Sequence, residues 1–401
     1  MKITAIKTAV LVGYGDWILL RVETDEGITG LGECFPAVAH AARPVVEMTR
    51  VAARVLAGED PRDINRLWSK LYDYFLGRPG SMAGLVTTVL SGIEIALWDI
   101  LGKSLGAPLY RLLGGRYRDR IRVYADCGAG EGLDPASYAE KAGAAVAQGF
   151  TALKFDIDAG SPVFLAGDWG EGYDARHSRG ISYQWRDPYA KSVNHAELEA
   201  MAQRARAVRE AVGESIDIAF DTGGYSVESA VRLARALEPC RPAWLEDPLP
   251  RESTEPLARL KQASATPILT GECLYTRFGF KALLDQGCVD FIAPDVQKTG
   301  GILETRRIAD MASLKYIAIA PHCVATPVGT AASVHLCAAV PNFLLLEFHF
   351  IHLPYWHDLI CSPVPFLEDG HIRVPEGPGL GVELNYEIAG RYRRSEETFF
   401  E

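Results

Sequence analysis

Asp221, Glu246 and Glu272 each close a short apolar run: IDIAFD, PAWLED and TPILTGE. The gaps between them are 25 and 26 residues. One strand plus one helix takes about that length of chain, so the three acids stand in register on successive repeats. A single acid at a strand end is most simply read as the start of a turn or a cap for the next helix. Three in register are another matter, because like charges at close range repel unless a cation lies between them. Hard carboxylate oxygens with room for water and substrate suit Mg²⁺, with Mn²⁺ as its substitute, at one ion per subunit.

Other chemistry-bearing residues close neighbouring runs. Asp295 ends VDFIAPD and His322 ends YIAIAPH. A carboxylate facing an imidazole orients it and favours its charged form, which makes a general acid/base. Glu347 lies in NFLLLEFH and either meets a developing oxyanion as a protonated acid or is structural. His349 follows it and reads either as lining of a substrate mouth or as part of a packed loop. In ALKFDID, Lys154 and Asp156 are two residues apart and share one face of a strand. Asp156 is expected to keep Lys154 charged, and so unfit as a base, leaving it to hold a substrate carboxylate.

The elements that position these residues follow from periodicity. Between residues 121 and 349 there are eight short β-branched or apolar runs, with helical stretches such as NHAELEAMAQRARAVREAVG and SVESAVRLARALE between them. Eight such units make an α/β fold of the (β/α)8 TIM-barrel type, and chemistry in that fold sits at the C-terminal strand ends. An open doubly wound sheet is the alternative, but the first unit lacks a G-x-G-x-x-G turn. Residues 1–33 read as hairpin material around Asp25-Glu26-Gly27, and residues 44–115 as three helices. The expected division is an α+β capping domain over 1–120, the barrel over 121–350, and a C-terminal segment over 351–401 that packs back on the cap and completes it.

Composition narrows the partners. The chain has 401 residues, 48% of them hydrophobic and 23% charged, with a net charge of -10. No basic stripe appears, which argues against nucleic acid. No window approaches ~18–20 unbroken apolar residues, so no membrane span is expected. The eight cysteines include no C-x-x-C pair. With no secretory signal at the N-terminus, they read as reduced thiols of a cytoplasmic protein.

With these residues in view, the chain resembles the enolase superfamily in its mandelate racemase-like branch. The resemblance spans the whole chain and rests on SGIEIALWDILGK, WLEDP (244–248), TGE (270–272) and PDVQKTGG (294–301), with the His and Glu of the last two strands. It implies metal ligands at Asp221, Glu246 and Glu272, a His322–Asp295 dyad, and Glu347 near the substrate carboxylate. It implies α-proton abstraction from a carboxylate with an ene-diolate stabilised by Mg²⁺. Specificity loops are implied around 14–17 and 34–41, with Trp17 and His40 as substrate contacts, and a homo-oligomer is expected.

The departures are informative. The racemase pattern Lys-x-Lys is here Lys154-Phe155-Asp156, so the second base is replaced by an acid. This resembles acid-sugar dehydratases of the gluconate and arabinonate type. Galactonate-type members place a His two residues after the first metal Asp, where this chain has Gly223. The 34 residues of 161–194 form an aromatic-rich insertion read as a lid, with Arg186 as a substrate contact, or as a surface flap or oligomer contact. The expected activity is a Mg²⁺-dependent hydro-lyase that converts an aldonate or aldarate into a 2-keto-3-deoxy acid. The alternative is a racemase, epimerase or cycloisomerase of the same superfamily. A Schiff-base aldolase and a non-catalytic sugar-acid-binding protein are further readings.

Overall fold

The structure is a computed structural model that describes residues 1–13, 15–37, 42–76, 83–159, 192–250, 254–349, 353, 355–362, 365–397 and 399–401. The chain opens with an antiparallel meander, β1 (Ile3–Gly13), β2 (Gly15–Thr24) and β3 (Thr29–Ala37). The sequence suggested a two-run hairpin around Asp25-Glu26-Gly27. The turn is there, and β1, paired antiparallel with β2, adds a third strand. Three helices follow: α1 (Arg43–Leu56), α2 (Ile64–Leu76) and α3 (Ala83–Leu105).

Helix α3 lies against β3 at unusually short range. A methyl group at Gly32 would fall 2.0 Å from the carbonyl oxygen of Gly92, so only glycine permits this approach. Residues 84–105 are long and apolar enough to cross a bilayer by length and composition, although no unbroken apolar run marks them in the sequence. In the fold 78% of the apolar window is buried, which accounts for its composition.

Eight parallel strands then form the barrel. In order they are β4 (Arg120–Asp126), β5 (Ala152–Asp156), β6 (Asp217–Asp221), β7 (Trp244–Glu246), β8 (Ile268–Thr270), β9 (Phe291–Ile292), β10 (Ala318–Ile319) and β11 (Leu346–Phe348). Each pairs with the next through β10, and β11 pairs with β4 to close the circle. The seam between β10 and β11 is held by the Leu344 N–H on the Ile319 carbonyl and the Glu347 N–H on the Pro321 carbonyl. The helices that flank the strands include α4 (Pro135–Ala147), α5 (His195–Val212), α6 (Val227–Leu237), α7 (Thr254–Ala263), α8 (Thr276–Gln286), α9 (Ile302–Ser313) and α10 (Pro327–Ala339).

Inside the barrel one apolar layer carries the site. Tyr124, Ala152, Ala219, Trp244, Leu269, Ala293, Ala320 and Leu345 form it. The small residues make room for Tyr124 and Trp244, whose rings meet edge to face at 5.4 Å. Strand side chains repeat every second residue, so the next inward positions are Asp126, Lys154, Asp221 and Glu246. The polar site therefore rests on a dry floor.

Buried carboxylates of the cap join it to the barrel. Glu33 accepts from the Thr326 and Gly329 N–H groups at 2.8 and 2.9 Å, at the start of α10. Glu94 accepts from the Ile302 and Leu303 N–H groups at 2.7 and 2.9 Å, at the start of α9. Unpaired N–H groups at a helix N-terminus favour such an anion. Gly301, at φ 91°, leaves space for Glu94, since a Cβ there would touch its carboxylate. The tail returns to β1 through the Arg394 N–H on Val10 and the Phe400 N–H on Thr8, and Arg394 pairs with the buried Asp16.

On α10, His335 accepts from the Tyr110 N–H at 3.3 Å, and its Nε2 lies 3.0 Å from the Leu380 carbonyl. Burial lowers its pKa from 6.5 to about 4, so it is neutral in the fold. The unfolded chain binds that proton at higher pH, so this stabilisation is complete above pH ~6.5 and is lost as pH falls toward 4. Burial raises Glu33 and Glu94 to about 7, which works in the opposite direction below that pH. Comparing variants isolates the histidine. Urea unfolding of His335→Gln should lose less stability than the parent chain between pH 7 and pH 4.5, by up to ~3 kcal/mol. Equal losses would show that His335 is not held neutral.

Candidate active site

The strand-end residues meet at the C-terminal mouth of the barrel. At its centre is Lys154, 1% exposed. Its ammonium lies 2.6 Å from Glu347, 3.0 Å from Asp221, 3.2 Å from Glu246 and 3.4 Å from Asp126. Burial works against the charge, but Asp221, Glu246 and Glu347 outweigh it and hold the lysine well above its ordinary pKa. Lys154 is thus charged, as the sequence suggested, but the acids in contact with it differ from the expectation. Asp156 sits one layer further out, and its own pKa is pushed well up by burial, Asp126 and Asp221.

His322 and Asp295 form the expected dyad. His322 Nδ1 lies 2.6 Å from Asp295 Oδ2, and Asp295 Oδ1 accepts from the Gln297 N–H at 2.7 Å. That leaves Nε2 facing Glu272 Oε2 at 3.3 Å and Glu347 Oε2 at 3.5 Å. Burial opposes a charge on the ring, yet Glu347, Glu272 and Asp295 together raise its pKa to about 10. Glu347 is wholly buried and accepts from the Cys323 N–H at 2.9 Å. Against its burial, Lys154, His322 and His349 hold its carboxyl well below the usual range. The protonated Glu347 considered from the sequence is therefore corrected: it stands among three cationic or polar donors as a carboxylate.

His349 joins from the loop after β11. Its Nε2 lies 3.0 Å from Asp126 Oδ2 and 3.2 Å from Glu347 Oε1. The His322 and His349 rings are 6.3 Å apart between centroids. The cap contributes Phe35, whose ring lies 5.8 Å from His322 and 4.3 Å from the Lys298 ammonium. Sequence reasoning pointed to the loop at 34–41 but not to Phe35. Trp17 is wholly buried and donates its indole N–H to the Val324 carbonyl at 3.1 Å, tying the cap to the segment after His322. His40, Arg186 and the insertion through residue 191 lie outside the described residues.

Two arrangements could hold a metal ion. Asp221 and Glu246 end adjacent, directly paired strands, and Glu272 follows the next one. Burial raises Asp221 to about 7, with Glu272 and Asp247 adding to the rise against Lys154. Burial, Asp221, Glu347 and Glu272 push Glu246 up. A divalent cation would relieve that repulsion, and an all-carboxylate donor set fits Mg²⁺ or Mn²⁺. Among the described residues, three donor atoms already lie within 4.8 Å of one another at His322, Glu347 and His349, a set that suits a transition metal instead.

Comparison with known proteins places this geometry. Residues 3–114 match the mandelate racemase / muconate lactonizing enzyme N-terminal domain, and residues 137–388 match the enolase C-terminal domain-like family. The D-xylonate dehydratase of Haloferax volcanii is 38% identical, covering 100% of this chain and 91% of that protein. The D-gluconate dehydratase of Thermoproteus tenax is 35% identical, over 94% of this chain and 69% of its own length. A D-galactonate dehydratase of Ralstonia nicotianae is also 35% identical, over 98% and 95%. The crystal structure of a mandelate racemase/muconate lactonizing enzyme-like protein from Rubrobacter xylanophilus superposes with a TM-score of 0.89 at 40% identity, covering 100% of this chain and 99% of that one.

Removing Lys154 should expose the carboxylate excess. Lys154→Met leaves four acids without their shared ammonium and should lower unfolding stability by ~3–5 kcal/mol in urea. An unchanged midpoint would mean that the ammonium does not balance those charges.

Proposed function

The chain belongs to the mandelate racemase / muconate lactonizing enzyme family, and from that premise we propose that it is a sugar-acid dehydratase. It removes the α-proton of an aldonate or aldarate and expels the 3-hydroxyl, giving a 2-keto-3-deoxy acid and water. The observation that carries this reading is the His322–Asp295 dyad. It presents one imidazole nitrogen to a mouth lined by Glu272 and Glu347. Full-length likeness to proteins named for dehydration of D-xylonate, D-gluconate and D-galactonate supports the same reaction class. Gly223 stands where galactonate-type members carry a histidine, which favours the other aldonates.

Asp221, Glu246 and Glu272 are the ligands we assign to Mg²⁺. When bound, the ion supplies positive charge where the substrate carboxylate gains electron density. The rest of the work falls to the chain. Lys154 is enclosed beneath the ring, where its charge offsets the acids and adds positive potential beneath the mouth. Asp295 fixes the tautomer and direction of His322, so that Nε2 takes the α-proton. Glu272 is one of the groups that raise His322. Neutralising Glu272 would lower the histidine toward the range where a general base works. Phe35 packs beside the ring.

A panel of aldonic and aldaric acids with Mg²⁺, read by semicarbazone absorbance of the 2-keto product, tests the reading. Product from at least one aldonate, lost with EDTA and restored by Mg²⁺, is the expected result. No product from any acid, with α-proton exchange still seen in D₂O, would replace dehydration by the racemase or epimerase reading. His322→Asn should lower turnover by ~10²–10⁴. A variant that retains full activity would remove His322 from the chemistry.

A further inference from the structure

Lys298 is a buried cation that the chemistry above leaves unused. It is 8% exposed, in the turn that follows β9. Its ammonium meets Cys273 Sγ at 3.6 Å and stands 4.3 Å from the centre of the Phe35 ring and 6.0 Å from that of Tyr275. Lys154, in the same mouth, has four carboxylates within 3.4 Å, whereas among the described residues Lys298 forms no ion pair. A thiol sulfur is a weak acceptor, and an aromatic face attracts the charge without supplying a lone pair. An ammonium has three N–H donors, so Lys298 is buried without an oxygen acceptor, which is costly unless one arrives with a ligand.

The turn that carries Lys298 is held on several sides. Its own N–H and that of Thr299 donate to the Asp295 carbonyl at 3.1 and 2.8 Å. The Phe35 N–H donates to the Gln297 carbonyl at 3.0 Å, and the Thr276 N–H to the Thr299 carbonyl at 2.9 Å. The same turn therefore fixes Asp295, which orients His322, and Lys298. Phe35 reaches both, since its ring lies 5.8 Å from that of His322. Glu272, Cys273, Tyr275 and Phe35 are each half-buried, so the wall around the ammonium borders the mouth.

Two features say what would sit there. Burial opposes the charge on Lys298, yet Cys273, Glu272, Asp295 and Tyr275 together raise its pKa. Acids at a distance thus answer the charge, while the hydrogen bonds go unanswered. A neutral oxygen such as a hydroxyl completes that environment without adding another anion to a mouth already rich in them. The direction follows from strand order. Asp221, Glu246 and Glu272 belong to β6, β7 and the end of β8, so a carboxylate on the metal lies toward those strands. Lys298 comes from beyond β9, on the side of Phe35 and the cap, where the rest of the substrate must extend.

We propose that Lys298 is a substrate-binding residue that donates a hydrogen bond to a hydroxyl of the sugar-acid chain beyond C3, and that it thereby selects among aldonates. The inference rests on the dehydratase reading and narrows its substrate.

The test pairs changes in the chain with changes in the substrate. It uses the full chain with saturating Mg²⁺, whichever of D-xylonate and D-gluconate is dehydrated faster, and the 4-deoxy and 5-deoxy analogues of that acid. In the unaltered chain at least one analogue should fall about 10–100-fold in kcat/KM, the range for a hydrogen bond to a charged group. In Lys298→Met the parent acid should fall by a similar factor, and that analogue should be turned over within about 3-fold of it. Lys298→Gln, which keeps a donor, should lie between the two and serves if the methionine variant does not fold. A loss shared equally by the parent acid and both analogues would mark a structural role and overturn the proposal. So would unaltered turnover of the parent acid in the variants, or a chain indifferent to both deletions. A preference for the matching diacid that depends on Lys298 would put an anion on the ammonium and overturn the hydroxyl assignment. A chain that dehydrates neither aldonate would overturn the dehydratase reading itself, and the proposal with it.

Discussion

The architecture of this site is governed by an excess of carboxylates in a place that tolerates few of them. Asp126, Asp156, Asp221, Glu246, Glu272, Asp295 and Glu347 converge on one barrel mouth above a floor of aromatic and aliphatic side chains. Burial alone would protonate several of these acids. Lys154 meets four of them, His322 meets three and His349 meets two. Lys154 and His322 each lie where several acids converge, so a charge change at one acid is felt by the others. Such a site is primed for a divalent ion and for a substrate that gains negative charge during reaction.

The same constraint extends outward through the cap. Glu33 and Glu94 are also buried carboxylates, and both sit on the N-termini of barrel helices rather than against basic side chains. The helix ends supply the compensating N–H groups. Glu33 fixes Thr326 and Trp17 holds the Val324 carbonyl, so the segment after His322 is anchored twice by the cap. Phe35 continues the same strand to the His322 ring. Cap and His322 imidazole are in this way joined by direct contacts.

Much of this was legible in the sequence because the barrel repeats. Once eight runs are counted, the residue at the end of each is a candidate for the mouth, and Asp221, Glu246, Glu272, Asp295, His322 and Glu347 all meet there. Contacts between elements far apart in the chain were not legible. The Asp126–His349 pair crosses the seam where β11 closes on β4, and no periodicity reveals which residues face each other across a closure. The helix caps from Glu33 and Glu94 link residues 293 and 208 positions apart, and an acid in a strand or helix carries no local sign of such a partner. The acids that keep Lys154 charged were misassigned for a related reason. Asp156 is its neighbour along the strand, but the ammonium points inward, toward the ends of other strands.

The central claim of the proposed function is a division of labour in which carboxylate oxygens hold the metal and His322 stays available for protons. Pulsed electron paramagnetic resonance of the chain loaded with one equivalent of Mn²⁺ tests it directly, because a coordinated imidazole nitrogen modulates the spin echo. The account predicts an all-oxygen spectrum without nitrogen modulation, and loss of Mn²⁺ affinity in Asp221→Asn. Strong nitrogen modulation that disappears in His349→Asn would place the ion on His322, Glu347 and His349 and would contradict the account.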